Sequence, residues 1–245
     1  MNFFIGTSGY SYPEWKGSFY PEKTPAKQFL NYYASRFQTV EINSTFRTLP
    51  ATSVLEAWAE QVPSHFRFAI KAPQGITHFR RLKDVGEEVS LLIEVAGALK
   101  KRLGPILFQL PPNFKKDVPR LRAFLALLPA GCRAAMEFRH PSWFDDEVFE
   151  LLRDHQTALC IADESDDLAV PFVATANWGY LRLRRADYGT AALAVWAARV
   201  KAQTWRDCYI YFKHEDTGTG PDLASRLQEL LALKPRPANK SKQIE

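Results

Sequence analysis

Charged residues that alternate with apolar ones at the ends of short β-like runs are the groups in this 245-residue chain best placed to do chemistry. In Ala134 to Trp143, AAMEFRHPSW, Met136 and Phe138 alternate with Glu137 and Arg139, and His140-Pro141 stops the run just beyond them. Successive side chains of a strand point to opposite faces, so Glu137 and Arg139 share the face away from the apolar pair. The same parity selects Glu41 and Asn43 against Val40 and Ile42, Lys71 against Phe68 and Ile70, and Gln109 against Phe108 and Leu110. It also selects Arg182 and Arg184 against Leu181 and Leu183, and Tyr211 and Lys213 against Ile210 and Phe212. Asp163 ends a further run, although its parity partners Leu159 and Ile161 are apolar.

Glu41, Glu137 and Asp163 would thus meet Lys71, Arg139, Arg182 and Lys213. Two carboxylates in one partly desolvated pocket have their pKa values pushed apart, the split that acid/base catalysis needs. Glu41, Glu137, Asp163 and Lys71 are the candidate catalytic residues, and Glu137→Gln is expected to abolish turnover with the fold intact. Arg139, Arg182 and Lys213 would hold an anion, because guanidinium presents a planar fork and ammonium a point charge. Asn43, Gln109 and His140 would orient the substrate, with Tyr10 and Trp143 supplying aromatic surface. A buried ion-pair network that closes the fold, with Glu137–Arg182 or Glu41–Lys71 as pairs, is the structural alternative.

The elements that must position these residues are eight β-like runs: Phe3 to Thr7, Thr39 to Thr45, Phe66 to Ala72, Pro105 to Leu110, Ala134 to Arg139, Ala158 to Asp163, Gly179 to Arg184 and Cys208 to Lys213. Helix-period segments lie between most of them, at Pro25 to Phe37, Ser53 to Gln61, Val85 to Leu103, Val118 to Leu128, Asp145 to His155 and Ala191 to Thr204, with Pro221 to Leu233 after the last. Strands and helices that alternate over this length predict an α/β fold, a single (β/α)8 TIM-type barrel over residues 1–233. The crossover between strands 6 and 7, Glu164 to Trp178, is irregular. Active sites of such barrels sit at the C-terminal strand ends, where the selected residues fall.

The net charge of +5 is weak evidence for a polyanion partner, because the tail from Lys234 to Glu245 has four Lys/Arg and one Glu and so supplies +3 of it. That basic tail, 234–245, is expected to be disordered. Cys132, Cys160 and Cys208 show no CxxC spacing, and two lie inside apolar runs, so reduced cysteines and a cytoplasmic location are expected. No apolar run is long enough to span a membrane. P-loop, GxGxxG, GxSxG and HExxH motifs are absent. His78, His140 and His214 follow strands and with Glu137, Asp163 or Glu215 could hold a divalent metal, but no pair has diagnostic spacing. A metal is the less favoured alternative, and no cofactor is required. The first loop, GTSGYSYPEWKGSFYP, crowds Tyr10, Tyr12, Trp15, Phe19 and Tyr20, which could stack on a sugar or base or form a satellite core.

The segments IGTSGYSYPEWKGSFYP, VEINSTFRTLP, FRFAIKAPQGITHFRRL, GPILFQLPPNF, MEFRHPSWF and ALCIADE resemble the YecE-like family, the domain of unknown function 72 group, over nearly all of residues 3 to 233. The resemblance implies a TIM-type barrel and names no reaction. The architecture it implies is similar to that of sugar-isomerase and apurinic-endonuclease barrels, an analogy of fold that does not extend to function. Leu181-Arg182-Leu183-Arg184-Arg185 and Phe212-Lys213-His214-Glu215 depart from the Leu-His-Gly and Asn-rich strand ends of many members. The leading expectation is an acid/base enzyme of hydrolase, lyase or isomerase type acting on a small anionic or phosphorylated, sugar-like molecule. A nucleic-acid-binding or phosphodiester-cleaving protein and a non-catalytic ligand sensor are the alternatives.

Overall fold

A computed structural model describes residues 1–185, 187–213 and 218–232. The expected tail 234–245, and His214 and Glu215, lie outside these residues. Eight parallel strands follow in order: β1 (Asn2–Thr7), β2 (Thr39–Ile42), β3 (Arg67–Lys71), β4 (Leu103–Gln109), β5 (Ala134–Glu137), β6 (Ala158–Asp163), β7 (Trp178–Leu183) and β8 (Asp207–Phe212). Each pairs with its sequence neighbour from β2 to β8, and β8 pairs in turn with β1. Among the described residues, seven α-helices stand outside: α1 (Phe29–Arg36), α2 (Thr52–Glu60), α3 (Gly86–Gly97), α4 (Val118–Leu125), α5 (Asp146–Asp154), α6 (Thr190–Lys201) and α7 (Thr219–Leu230). No helix among the described residues joins β6 to β7, so the irregular crossover is as the sequence implies. The fold is a single (β/α)8 TIM-type barrel.

The alternation of each strand divides the core in two. Val40, Ile70, Phe108, Met136, Leu181 and Ile210 pack outward against the helices. Ala69, Leu107, Ala135, Cys160, Tyr180, Tyr209 and Tyr211 fill the interior as a separate cluster. Alanines on β3 and β5 leave room for the tyrosines of β7 and β8, so the centre is packed without a pore.

The seam between β1 and β2 has a single bridge, Ser8 to Glu41. Gly6 permits it: a Cβ there would stand 2.1 Å from the Thr39 carbonyl oxygen and 2.7 Å from the Tyr33 hydroxyl. That hydroxyl, from α1, accepts from Thr7 N at 2.7 Å and donates to Thr39 O at 3.1 Å. Tyr33 thus supplies the hydrogen bonds that a regular ladder would make.

Two strands, β2 and β5, end more than one residue sooner than their sequences suggest. The run expected to reach Thr45 stops at Ile42 because the Thr45 hydroxyl folds back to Ile42 O (2.9 Å) and lies near Lys71 O (2.7 Å), setting a tight turn at Ser44–Phe46. The run expected to reach Arg139 stops at Glu137, and His140 Nδ1 accepts from Ser142 N at 3.2 Å to start a turn at Pro141–Trp143. No helix of the described residues is long and apolar enough to cross a membrane. Cys132, Cys160 and Cys208 are free thiols.

Candidate functional site at the barrel mouth

Parity and register bring Glu41, Lys71, Gln109, Glu137 and Arg182 to the C-terminal ends of β2, β3, β4, β5 and β7. Arg182 lies at the centre of this group. Its Nη1 donates to Glu137 Oε2 at 2.7 Å and its Nη2 to Glu41 Oε1 at 2.8 Å, so one guanidinium bridges two strands on opposite sides of β7. Both carboxylates are completely buried and Arg182 is 1% exposed.

The remaining carboxylate valences are also taken. Glu41 Oε2 accepts from the Tyr180 hydroxyl at 2.5 Å, and its Oε1 accepts a short hydrogen bond from Ser8. Glu137 Oε1 accepts from Gln109 Nε2 at 2.7 Å and from Arg139 Nε at 3.0 Å. Arg139 also donates to Glu164 at 2.8 Å, and Arg184 reaches the same Glu164 oxygen at 3.0 Å. The result is a hydrogen-bonded ladder from the sealed interior to the rim, with Arg182 Nε its one orphaned donor.

Its electrostatics follow from burial and neighbours. Burial alone would push the Glu137 carboxyl up, but Arg182, then Arg139 and Arg184, outweigh it and hold the group well below the usual carboxylate range. Burial likewise works against the Arg182 charge, and Glu41 and Glu137 overcome it, so the guanidinium is held more firmly protonated than usual. Glu41 and Glu137, expected to share a pocket with a split proton, are each hydrogen-bonded to Arg182, which bridges them. The pair Glu137–Arg182 belongs to this bridge, and Glu41 meets Arg182 instead of Lys71.

Lys71 is different. No carboxylate among the described residues lies within ion-pair distance of its ammonium, which stands over the Phe46 ring 4.0 Å from the centroid. Burial, and then repulsion from Arg182, lower its pKa to about 8 against the opposing pull of Glu137 and Glu41. His78 packs edge-on to the same Phe46 ring at 4.9 Å and accepts or donates at Thr77 Oγ1, 2.9 Å away. Burial and the Lys71 charge lower the His78 pKa, so its imidazole is neutral at pH 7.

Other residues selected from the sequence lie around this centre or away from it. Asn43 leaves the end of β2 with its Oδ1 buried and unpartnered, and with Tyr10 and Trp58 it lines a pocket of about 330 Å³. Lys213 follows β8 and is half-buried, and His140 is held by Ser142 at the start of its turn. Asp163 does not join the group. It follows the outward parity of Leu159 and Ile161, accepts from Arg185 at 2.5 Å and from the Tyr188 hydroxyl at 2.9 Å, and lines a small crevice beside Trp196 and Arg199 of α6. Trp143 is likewise no pocket wall. Fully buried, it stacks on Phe138 at 4.7 Å, and its indole donates to Phe114 O at 2.6 Å. In the first loop, Trp15 and Tyr20 belong to the core and half-buried Phe19 packs against it, which leaves the half-buried Tyr10 and Tyr12 lining the pocket beside Asn43.

Arg184, selected with Arg182, joins at the rim, and Ser8, Tyr180 and Glu164 complete the site although they were not among the selected residues. Tyr180 shares the parity of Arg182 and Arg184, a signal available in the sequence, whereas Ser8 and Glu164 follow strands with no distinguishing pattern. Among the described residues no three His, Cys, Asp or Glu side chains are grouped as a metal site would need.

The family model described as "Protein of unknown function DUF72" matches residues 4–244. The chain is 32% identical to UPF0759 protein YecE of Escherichia coli K12 over 142 residues, 58% of this chain and 50% of YecE, so the match spans half the length of that relative. It is 26% identical to UPF0759 protein YunF of Bacillus subtilis over 94% of this chain and 95% of YunF. The crystal structure of a DUF72 family protein from Thermotoga maritima superposes with a TM-score of 0.82 at 27% identity, covering 95% of this chain and 100% of that one. By sequence and by fold, the chain belongs to the DUF72 family, the group that includes YecE.

Proposed function

We propose that this protein is an enzyme that binds a small anionic substrate, phosphorylated or carboxylated, at the C-terminal mouth of the barrel and moves a proton on it. The observation behind this reading is the ammonium of Lys71, without an ion-pair partner among the described residues, near the guanidinium groups of Arg139, Arg182 and Arg184, each of which already has a carboxylate partner. A substrate anion would supply the missing counter-charge. Burial and the Arg182 charge also lower the Lys71 pKa to about 8, which suits it to give and take a proton during turnover.

Glu41 and Glu137 act in this proposal as positioning residues. Held ionised or fully hydrogen-bonded, Glu137 fixes Arg182, Arg139 and Gln109, and Glu41 anchors Arg182 from the other side. Asn43 offers its unpartnered oxygen to a substrate hydroxyl or amine, and Tyr10 with Trp58 offers an apolar wall. Proton transfer by an amine near bound anionic groups suits isomerisation or elimination, the lyase and isomerase classes.

A thermal-shift screen against inorganic phosphate, sugar phosphates, carboxylates, oligonucleotides and divalent cations with a chelator control tests the reading. A ligand at 100 times its Kd adds about 2.7 kcal/mol, which for a chain this long raises the midpoint by roughly 5 to 11 °C. Hits among small anions support the proposal. Hits confined to oligonucleotides, weakening steeply with salt, would replace it with a nucleic-acid partner, and tight binding with no product would make the protein a sensor.

A further inference from the structure

Lys71 combines three properties rarely found together in a surface amine. It stands at the inward-facing end of a barrel strand, half-buried, with its Nζ over the Phe46 ring and no carboxylate among the described residues to neutralise it. The charges around it come from three other strands: Glu41 on β2, Glu137 and Arg139 at β5, and Arg182 on β7, with His78 in the loop after β3. The cations and burial outweigh the two carboxylates, which are themselves committed to Arg182. An amine so placed spends part of its time as the free base while cationic groups remain beside it to hold an anion.

We propose that Lys71 is a nucleophile that forms an imine with an aldehyde or ketone bearing a phosphate or carboxylate. This inference rests on the anion-binding reading above and adds the carbonyl as the substrate's reactive group. The neutral amine attacks the carbonyl carbon, forming the C–N bond while the π pair moves to oxygen, which takes up a proton. The carbinolamine nitrogen then expels that oxygen as water, leaving a protonated imine. Net, one ammonium and one carbonyl give one iminium and one water, with no oxidant or reductant. His78, an imidazole that packs edge-on to the same Phe46 ring and feels the Lys71 charge, is a nearby group able to relay the protons of the carbinolamine steps. The iminium then acidifies the adjacent C–H, which is what an isomerase or lyase of this kind requires.

The test treats the intact protein at pH 7 with glyoxylate, an aldehyde bearing a carboxylate, and separately with uncharged propanal. Cyanoborohydride fixes any imine, and each lysine is then quantified by peptide mapping. A lysine with its pKa near 8 has roughly 300 times more free base at pH 7 than one at the ordinary 10.5. Lys71 should therefore be the dominant glyoxylate adduct, should be less favoured by propanal, and should be protected by inorganic phosphate. Lys71→Arg should lose that adduct alone, and the map of the unaltered protein decides the matter even if the variant fails to fold. Labelling spread over other lysines with Lys71 unmodified, while phosphate still raises the melting temperature, would overturn the imine and leave the anion site standing. Absence of both the Lys71 adduct and the phosphate shift would overturn the two readings together.

Discussion

Arg182 lies in the barrel interior with a carboxylate on each side, and removing either partner should be costly. Glu137→Gln keeps the shape but takes away one of the two charges that offset its burial, so the variant should lose about 3–5 kcal/mol. That corresponds to a fall in melting temperature of roughly 6 to 20 °C for a chain of this length, measurable by scanning calorimetry. This differs from the behaviour expected of a free catalytic base, which would lose turnover at unchanged stability. A melting temperature within 2 °C of the unaltered protein, taken as roughly the smallest shift that would matter here, would show that the bridge is not needed for stability. Lys71 gives a second prediction with a definite sign. Its folded pKa of about 8 lies below its unfolded value, so the ammonium is fully present below pH 7 and is lost as pH rises through 8. Phosphate affinity should decline across that window, and in Lys71→Arg it should hold to higher pH. Between pH 8 and the unfolded pKa the folded chain binds fewer protons than the unfolded one, so this residue makes stability rise with pH there.

At the scale of elements, the seam between β1 and β2 is closed by a glycine and a tyrosine where the other strand pairs have ladders. Tyr33→Phe leaves Thr7 N and Thr39 O without their shared partner and should destabilise the barrel by about 1–3 kcal/mol. Gly6→Ala should do at least as much harm, since its methyl would overlap the Thr39 carbonyl. Urea unfolding of both variants checks this, and wild-type stability in either would mean the seam relaxes elsewhere. Trp143→Phe should cost about 1 kcal/mol for the lost indole hydrogen bond and leave ligand affinity unchanged, as suits a core residue. The strand and helix sequence was legible because period-2 and period-3.6 patterns survive in every unit but the irregular crossover from β6 to β7, and parity placed Glu41, Glu137, Gln109, Lys71 and Arg182 together. Which carboxylate meets which cation was not legible. That pairing depends on Arg182 reaching across the barrel to β2 and β5, strands 141 and 45 residues away in sequence. Asp163 and Trp143 lie away from the mouth for local reasons: Asp163 keeps the outward parity of Leu159 and Ile161 on β6 and bonds Arg185 and Tyr188, and the turn at Pro141–Trp143 packs the indole on Phe138 and against Phe114 O.

Over the whole molecule, the charge that sets its behaviour toward ligands is local. The segment 234–245 contributes +3 of the net +5, leaving +2 for the barrel, so general attraction to polyanions is weak. In the proposed reading, selectivity for a small anion comes from the mouth, where Lys71 has no ion-pair partner among the described residues and stands near a bridge of buried, mutually satisfied charges. The direct measurement is the melting temperature of the intact protein and of Lys71→Met at pH 7, each titrated with inorganic phosphate at constant ionic strength. The unaltered protein should rise by several degrees, approaching roughly 5 °C when phosphate is in about hundredfold excess over its Kd, and Lys71→Met should lose most of that rise. An equal rise in both proteins, or none in either, would contradict the assignment of the mouth as an anion site built on Lys71.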